Sequence, residues 1–364
     1  MKKTNVSDKS SELTSILNTH FRGKLNLARV KLISFFVIAL VKVQTVNFEK
    51  LSHAFDTKTQ SDSSLRRIQR FIASYSLDSN LIARLVFSLL PNKEQYILSI
   101  DRTNWKFGQV DINIFMLGVV YKGVAFPLLF SMLSKRGNSN SQERIALVDR
   151  FINLFGKDVI ESIVADREFV GHKWLAYLNY NEIRYYIRIR NNFRVFIPHK
   201  NKEIKAAHLF NRFRVNEFVH YNKIVRVNGQ LCYLSGTKLH NRNGKQDFLI
   251  IVSFNKPEKA QEQYKQRWQI EMTFKAMKSS GFDIEKTHLQ DIERMEKLIL
   301  LVMIAFVWAY RVGIYLHQIK PILIKKHGRK AKSIFKYGLS YIASVLLNAE
   351  NHDNMKIFEF LSCT

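Results

Sequence analysis

The chain of 364 residues contains only two cysteines, Cys232 and Cys363, and neither lies in a Cys-x-x-Cys or Cys/His spacing. This shortage argues against a structural zinc site and a disulfide framework, and it fits a reducing cytosol. Prolines are also few, five in all, and no low-complexity tract interrupts the chain. The sequence therefore predicts an ordinary globular protein with room for two or three domains and a buried core.

Acidic residues are scarce relative to basic ones. Thirty Asp and Glu stand against 57 Lys and Arg, which leaves a formal net charge of +27. Such an excess predicts a polyanionic partner, because cations that neutralise phosphates release condensed counterions and so drive association. The alternative is a protein that is merely basic and soluble.

One apolar stretch imitates a membrane span. Leu298–Tyr310 runs for thirteen residues without a charge before Arg311 interrupts it, short of the roughly 20 residues that a spanning helix needs. The N-terminal segment MKKTNVSDKSSELTS is polar and lacks the apolar core of a signal peptide. We therefore expect a buried core helix at Leu298–Tyr310 and no membrane partner.

Residues 1–90 have apolar positions at helical spacing and carry 14 Lys and Arg against 6 Asp and Glu, a net of +8. A short helix, with its N-cap expected among Ser61–Ser64, would expose three arginines: Arg66, Arg67 and Arg70. This pattern predicts a helical DNA-binding domain. The alternative is a helical cap with solvated arginines, since no helix-turn-helix spacing is distinct enough to name.

Residues 91–290 change to the pattern of an α/β domain. Short apolar runs at 94–101, 162–166 and 183–190 predict strands, and two further runs meet at a hairpin around Lys122-Gly123. One predicted helix follows the hairpin and another precedes the last run. Three strands, helix, strand, helix, strand is the order of a ribonuclease-H-like sheet, although order alone is a weak argument for a fold.

An insertion of short β runs is expected at about 191–256, where Asn228-Gly229 and Asn243-Gly244 are typical of type I′ hairpins. A long helix is predicted from Pro257, since proline suits the first helical turn. Residues 291–364 continue as a C-terminal helical region.

Two aspartates follow apolar strands, Asp101 at the end of EQYILSID and Asp166 at the end of SIVAD. Because a carboxylate is costly to bury, an acid that closes such a strand tends to lie at the carboxyl rim of the sheet, where ligands bind. The two can meet if their strands are neighbours, and their hard oxygen atoms suit Mg²⁺. Each acid alone is weak evidence, since acids after strands usually belong to turns or helix caps.

Four residues with complementary chemistry lie in the predicted helix after Pro257. Tyr264, Arg267, Glu271 and Lys278 fall within an arc of roughly 60° at about 100° per residue. One helical stripe would thus offer an anion for a metal beside donors for phosphate oxygens. The spacing equally allows a solvated face on which Arg267 and Glu271 form an i,i+4 ion pair.

The spacing Tyr-x₂-Arg-x₃-Glu-x₆-Lys resembles the DDE transposases of bacterial insertion sequences in the IS-four family. The blocks LSIDRTNW and ADREF around the two aspartates, and the downstream KTHL, ERMEKL and AFVWAYRVG, are similar as well. The resemblance covers about residues 94–316. It implies a ribonuclease-H-like catalytic domain with a β-rich insertion, preceded by a helical N-terminal domain and followed by C-terminal helices.

The resemblance also implies roles for the residues. Three would be catalytic and hold the metal: Asp101, Asp166 and Glu271. The cofactor would be two Mg²⁺ ions, for which Mn²⁺ could substitute, one activating water or a 3′-hydroxyl and the other stabilising the leaving oxygen. Phosphates near the transposon end would be contacted by Tyr264, Arg267 and Lys278.

The partners implied by the resemblance are double-stranded terminal inverted repeats and target DNA, bound by a homodimer in the bacterial cytoplasm at the nucleoid. In some relatives cleavage passes through a DNA hairpin, assisted by a Trp in the insertion that stacks on a flipped base. The insertion here has no Trp, and the aromatics considered in its place are Phe193, Phe196, Phe210, Phe213 and Tyr221.

Two rival functions use the same residues differently. A related metal-dependent DNA nuclease would cut with the same triad but would not transfer strands. A non-catalytic DNA-binding derivative would be expected to have lost at least one of the three acids, whereas Asp101, Asp166 and Glu271 are all present. We therefore expect an enzyme of cut-and-paste DNA transposition.

Overall fold

The computed structural model describes residues 6–57, 59–107, 110–133, 137–240, 243–287, 289–326, 328–348 and 355–362. The chain divides into two compact units. The first, called the helical unit here, comprises Met1–Pro91, Asn104–Ile112 and Thr273–Thr364. The second, called the sheet unit, comprises Asn92–Thr103 and Asn113–Met272.

Helices open and close the chain, and strands dominate its middle. The α-helices are α1 Val6–Phe21, α2 Leu27–Val43, α3 Phe48–His53, α4 Ser61–Ser74, α5 Ser79–Ser88, α6 Ser141–Phe155, α7 His172–Tyr180, α8 Ala260–Lys265, α9 Trp268–Lys275, α10 Ile292–Ile319 and α11 Ile334–Leu347. The strands are β1 Tyr96–Phe107, β2 Val110–Tyr121, β3 Val124–Leu133, β4 Ile160–Ala165, β5 Tyr185–Ile189, β6 Arg194–Ile197, β7 Lys202–Lys205, β8 Phe218–His220, β9 Val225–Val227, β10 Gln230–His240 and β11 Gln246–Ser253.

A single mixed sheet is the frame of the sheet unit. Its strand order is β3-β2-β1-β4-β5-β11-β10-β9-β6-β7, with β8 paired to β10. β1, β4 and β5 run parallel, whereas β2–β3 and β5–β11 are antiparallel pairs. The predicted succession of three strands, helix, strand, helix and strand is confirmed, and Lys122 and Gly123, both with positive φ, form the predicted hairpin turn.

The insertion predicted at 191–256 is not a separate body. β11 pairs along β5, with Ile250 opposite Ile189, and β10 pairs along the whole of β11, so the same sheet continues through both strands. The apolar residues of β11 are buried in this position, which explains why a long strand joins the main sheet. Asn228 and Gly229 both have positive φ, as a type I′ turn requires. The type I′ prediction for Asn243-Gly244 is wrong, because only Gly244 has a positive φ there.

The core of the helical unit is α10. Eighteen of its residues are buried, and α2, α5 and α11 pack on it. It is long and apolar enough to cross a membrane by length and composition, and its most apolar window is 89% buried inside the protein. The expectation of a buried core helix is therefore confirmed. Asp291 caps it by accepting a hydrogen bond from the backbone N–H of Arg294.

The N-terminal helices belong to the same compact unit as α10 and α11. α4 begins at Ser61 with Gln60 as its N-cap, so the N-cap expected among Ser61–Ser64 was misplaced by one residue or more. Arg66 and Arg70 are exposed on α4, and Arg67 is half-buried. A DNA-binding role for residues 1–90 stays a prediction.

Candidate active site

The two aspartates singled out in the sequence lie side by side. β1 and β4 are parallel neighbours, and Ile100 opposite Ala165 is their last pair. Asp101 and Asp166 are the next residues, so both side chains start at the carboxyl end of the parallel pairing. Asp101 was expected to end its strand, but β1 continues to Phe107, beyond its last pair with β4.

Asp101 is a desolvated carboxyl group. Its side chain is only 15% exposed, and this burial raises the pKa of Asp101 to about 7. The backbone N–H of Arg102, which donates to Oδ1 at 2.7 Å, and the nearby guanidinium of Arg267 act to lower that pKa. The carboxylates of Glu168 and Glu271 act to raise it. A site that gathers anions around a buried acid has the electrostatics to attract a cation.

The predicted long helix is broken at the residues of interest. α8 ends at Lys265 and α9 starts at Trp268. Between them the backbone N–H of Arg267 donates to the carbonyl of Tyr264, and that of Ile270 donates to the carbonyl of Arg267, which are i to i+3 bonds. The prediction of one continuous helix is therefore wrong, although Tyr264, Arg267 and Glu271 still lie next to one another. The tighter turn is anchored to the sheet, since the Ser99 hydroxyl donates to the Arg267 carbonyl at 3.3 Å.

Arg267 connects two of the acids. One guanidinium nitrogen lies 2.6 Å from Oε1 of Glu271 and 3.6 Å from Oδ2 of Asp101. The Arg267 side chain is only 12% exposed, so the pair with Glu271 does not lie on a solvated face. Burial acts to lower the pKa of Arg267, but interactions with Tyr264 and Glu271 outweigh it and raise the pKa. The guanidinium stays charged and lies among the carboxylates.

Tyr264 reaches the other aspartate. Its hydroxyl donates to Oδ1 of Asp166 at 3.2 Å, and burial raises the pKa of Tyr264 to about 12. The Tyr264 ring lies 5.8 Å from the Arg267 guanidinium, within cation–π range. The structure thus brings Asp101, Asp166, Tyr264, Arg267 and Glu271 into one connected group within the sheet unit.

The remaining predicted DNA contacts belong to the helical unit. Lys278 lies in a π-helical turn, Ala276–Ser280, where its amine contacts Glu285 at 3.2 Å and donates to the carbonyl of Asn104 at 3.1 Å. Arg66, Arg67 and Arg70 are on α4.

Sequence reasoning assigned no role to Arg102 and Glu168, which form a close ion pair beside the aspartates. Both stand inside the quoted blocks LSIDRTNW and ADREF, adjacent to Asp101 and two residues after Asp166. Their position next to the two aspartates was the feature of the sequence that could have indicated a role at the site.

The donor chemistry of the site fits a divalent metal. Asp101, Asp166 and Glu271 would offer carboxylate oxygens, the hard ligands that Mg²⁺ takes. Among the residues that the structure describes, however, no group of three His, Cys, Asp or Glu side chains stands close enough to hold an ion. The contacts of Arg267 with Asp101 and Glu271, and of Tyr264 with Asp166, engage these carboxylates instead.

The insertion contains a cavity of about 410 Å³. It is lined by two aromatic rings, two arginines and other polar groups: Phe193, Arg194, Phe196, Glu203, Arg226, Asn228 and Gly229. The Arg226 guanidinium lies 5.9 Å from the Phe196 ring. Two of the aromatics named from the sequence, Phe193 and Phe196, are thus at a cavity, whereas Phe210 is fully buried.

Fold and geometry together define a mixed α/β protein in which acids gather beside the ends of parallel strands. The chain matches the family model described as the transposase DDE domain over residues 92–308. Since this match covers more than half of the sequence, the chain belongs to the transposase DDE domain family.

The chain shows a distant likeness to the cryo-EM structure of the piggyBac transposase synaptic complex with hairpin DNA, at 12% identity and a TM-score of 0.45. That alignment covers 99% of this chain and 82% of the other. No curated protein matches the sequence.

Proposed function

We propose that this protein is the transposase of a bacterial insertion sequence, of the IS-four type, that binds transposon ends and catalyses Mg²⁺-dependent strand cleavage and strand transfer. The observation that carries the proposal is the juxtaposition of Asp101 and Asp166 after the last pair of two parallel strands, with Glu271 joined to Asp101 through Arg267. The strand order β3-β2-β1-β4-β5 supports a ribonuclease-H-like catalytic core.

The proposed roles follow from these positions. Asp101, Asp166 and Glu271 hold the metal, with Mn²⁺ able to replace Mg²⁺. Bound metal supplies activation of the attacking oxygen and stabilisation of the leaving oxygen in an in-line displacement. Tyr264 and Arg267 offer a phenol and a planar fork of N–H donors to phosphate oxygens beside the metal.

The proposed partner is double-stranded DNA, both the terminal repeats and the target, bound by a homodimer at the nucleoid in the cytoplasm. The net charge of +27 supports a polyanion, and membership of the transposase family supports DNA as that polyanion. Lys278 and the arginines of α4 are assigned to phosphate contacts within this proposal.

The closest alternative is a metal-dependent nuclease that cuts without joining. A strand-transfer assay with a transposon end that is already cut separates the two functions, because it bypasses cleavage. The wild-type protein should join the pre-cut end to target DNA in Mg²⁺. A protein that cuts intact ends but never joins pre-cut ones would be the nuclease.

The variant Glu271→Gln tests the site in the same assay, since a neutral amide is a much poorer Mg²⁺ ligand than a carboxylate. We expect it to lose both cutting and joining while it still binds the end. Its matched control is Glu262→Gln, which neutralises an exposed glutamate on α8 and should keep both activities. Wild-type joining by Glu271→Gln would refute the assignment of this residue.

A further inference from the structure

A buried ion pair joins the two segments that carry the aspartates. The Arg102 guanidinium donates to Glu168 through two nitrogens, Nε to Oε1 at 3.1 Å and Nη2 to Oε2 at 3.0 Å. The side chains are only 12% and 21% exposed. A parallel fork of this kind fixes both the distance and the orientation of its partners.

Each member of the pair lies within two residues of one of the aspartates. Arg102 follows Asp101 in β1, and Glu168 is two residues beyond Asp166 after β4. The backbone N–H of Arg102 also donates to Oδ1 of Asp101 at 2.7 Å. The same residue therefore holds one aspartate through its main chain and the segment of the other through its side chain.

The pair is itself held from several sides. On Arg102, Nη1 donates to Oδ1 of Asn113 at 3.4 Å and Nη2 donates to Oδ1 of Asn138 at 3.1 Å. The Asn113 amide donates in turn to the Gly137 carbonyl at 2.9 Å. These bonds connect β1 and β2 to the segment that follows β3.

Glu168 is anchored through its main chain as well. The buried guanidinium of Arg144, on α6, donates to the Glu168 carbonyl at 3.0 Å and lies 5.0 Å from the ring of Phe169. Neither member of the pair can turn away without breaking bonds to other elements.

We propose that Arg102 and Glu168 are positioning residues that set the separation and orientation of Asp101 and Asp166 and thereby the metal affinity of the site. The inference rests on the proposed function, in which the two aspartates are metal ligands. Neither residue touches the metal or the DNA in this proposal. Their effect passes through the aspartates, as the groups behind a metal ligand orient it and tune its affinity.

A purely structural pair would have a different signature. Removing one partner of any buried ion pair is destabilising, because it leaves an uncompensated charge. Loss of stability alone therefore cannot distinguish positioning from packing. The decisive quantity is the metal affinity of protein that remains folded.

The test uses the full chain with three variants, Arg102→Gln, Glu168→Gln and the double variant. Mn²⁺ binding in the absence of DNA is measured by electron paramagnetic resonance, and thermal unfolding is recorded on the same samples. We expect Mn²⁺ affinity to fall about 10- to 100-fold in each single variant, and little further in the double variant because the two residues act as one unit. Arg102→Lys keeps the positive charge but lacks the two-nitrogen fork. It should lose the same Mn²⁺ affinity as Arg102→Gln and unfold at a higher temperature than that variant.

A matched control exists in the helical unit. Lys42 contacts both carboxylate oxygens of Asp56 at 2.7 Å, with side chains 8% and 14% exposed. Lys42→Gln and Asp56→Asn should lower the unfolding temperature by a comparable amount and leave Mn²⁺ affinity unchanged. If variants of both ion pairs lost Mn²⁺ affinity equally, the loss would be explained by general destabilisation of the protein, and the proposal would be overturned.

Asp101→Asn separates failure of this inference from failure of the proposed function. If Asp101→Asn abolishes Mn²⁺ binding while folded Arg102 and Glu168 variants bind normally, the positioning role is wrong and the metal site stands. If Asp101→Asn binds Mn²⁺ like the wild type, the metal site itself is wrong, and the inference fails with it.

Discussion

The charged side chains of the candidate site, in the sheet unit, and those on α4, in the helical unit, are placed in opposite ways. In the sheet unit Asp101, Arg102 and Arg267 are at most 15% exposed, and each has ion-pair or hydrogen-bond partners at defined distances. In the helical unit Arg66 and Arg70 lie exposed on α4. Buried charges need fixed partners, whereas exposed charges are screened by salt over about 10 Å. The first arrangement suits chemistry that depends on geometry, and the second suits adjustable contacts with a polyanion.

The interiors of the two units differ as well. The helical unit is built on the apolar helix α10, which α11 approaches so closely that a methyl group on Gly338 would overlap the carbonyl oxygen of Ala309. The sheet unit buries polar groups near its acids, such as Asn113 and Arg144. Substitutions should therefore act mainly on stability in the helical unit and mainly on catalysis at the site of the sheet unit.

The largest expected effect comes from neutralising the acids of the sheet unit. Asp101→Asn, Asp166→Asn and Glu271→Gln should each reduce cleavage by at least about a thousandfold, equivalent to roughly 4 kcal/mol of activation free energy. End binding should survive, because it depends on many phosphate contacts. Cleavage of a labelled transposon end and gel-shift binding measure the two quantities.

Asp158→Asn is the control for these acids. This exposed aspartate precedes the opposite, amino-terminal end of β4, the strand that Asp166 follows. It should cleave like the wild type. A triad variant that cleaves as fast as Asp158→Asn would remove that acid from the proposed site.

The apolar packing of the helical unit is tested by Gly338→Ala. Its methyl group cannot fit against the backbone of α10, so we expect a loss of about 1–3 kcal/mol of stability or more. Below the unfolding temperature, cleavage per folded molecule should be normal. Gly171→Ala in the sheet unit is the control, since its methyl group would meet only the Ser141 hydroxyl at 3.4 Å. Equal unfolding temperatures in the two variants would show that α11 does not pack tightly against α10 at Gly338.

A third prediction asks whether Arg267 acts through its shape. Arg267→Lys keeps the charge but loses the planar fork, so cleavage or joining should fall by about tenfold or more while the protein stays folded. If Arg267 only paired with Glu271 and made no contact with DNA, Arg267→Lys would leave activity intact. Arg194→Lys, in the exposed pair with Glu203, provides the control in paired melting and cleavage assays. Full activity in Arg267→Lys would show that Arg267 has only a structural role.

The smallest expected effect concerns the exposed cations. Replacing Arg66, Arg67 and Arg70 together by Gln should make end binding less sensitive to salt. If each arginine contacts one phosphate, the slope of log affinity against log salt concentration should become less negative by about 2.7. Cleavage at low salt should continue. These substitutions are preferable to deleting residues 1–90, because α2 and α5 pack on α10 and their removal would uncover the core.

The control for the arginines of α4 replaces three exposed cations of the C-terminal region, Lys325, Lys326 and Arg329. The salt dependence of this second triple variant should equal that of the wild type. If only the second variant flattens the plot, the phosphate contacts lie in the C-terminal segment rather than on α4.

Several features of the fold and candidate site were predictable because they depend on local pattern. The alternation of strands and helices, the turn at Lys122-Gly123 and the buried helix at Leu298–Tyr310 follow from periodicity and turn chemistry. Asp101 and Asp166 were predicted to meet if their strands were neighbours, and β1 and β4 are neighbours. The resemblance to DDE transposases is confirmed at the level of the transposase DDE domain family, and its IS-four part stays a proposal.

The sequence by itself predicted which residues would carry the chemistry and in what order the elements occur, since both predictions depend on side-chain type and short-range geometry. Only the tertiary structure decided that β1 continues past Asp101, that β10 and β11 extend the main sheet, and that Arg267 lies between helices and contacts two acids. It alone also paired Arg102 with Glu168 across 66 residues of chain. Strand pairing and ion pairing of this kind join residues that are distant in sequence, and local periodicity contains no information about such partners.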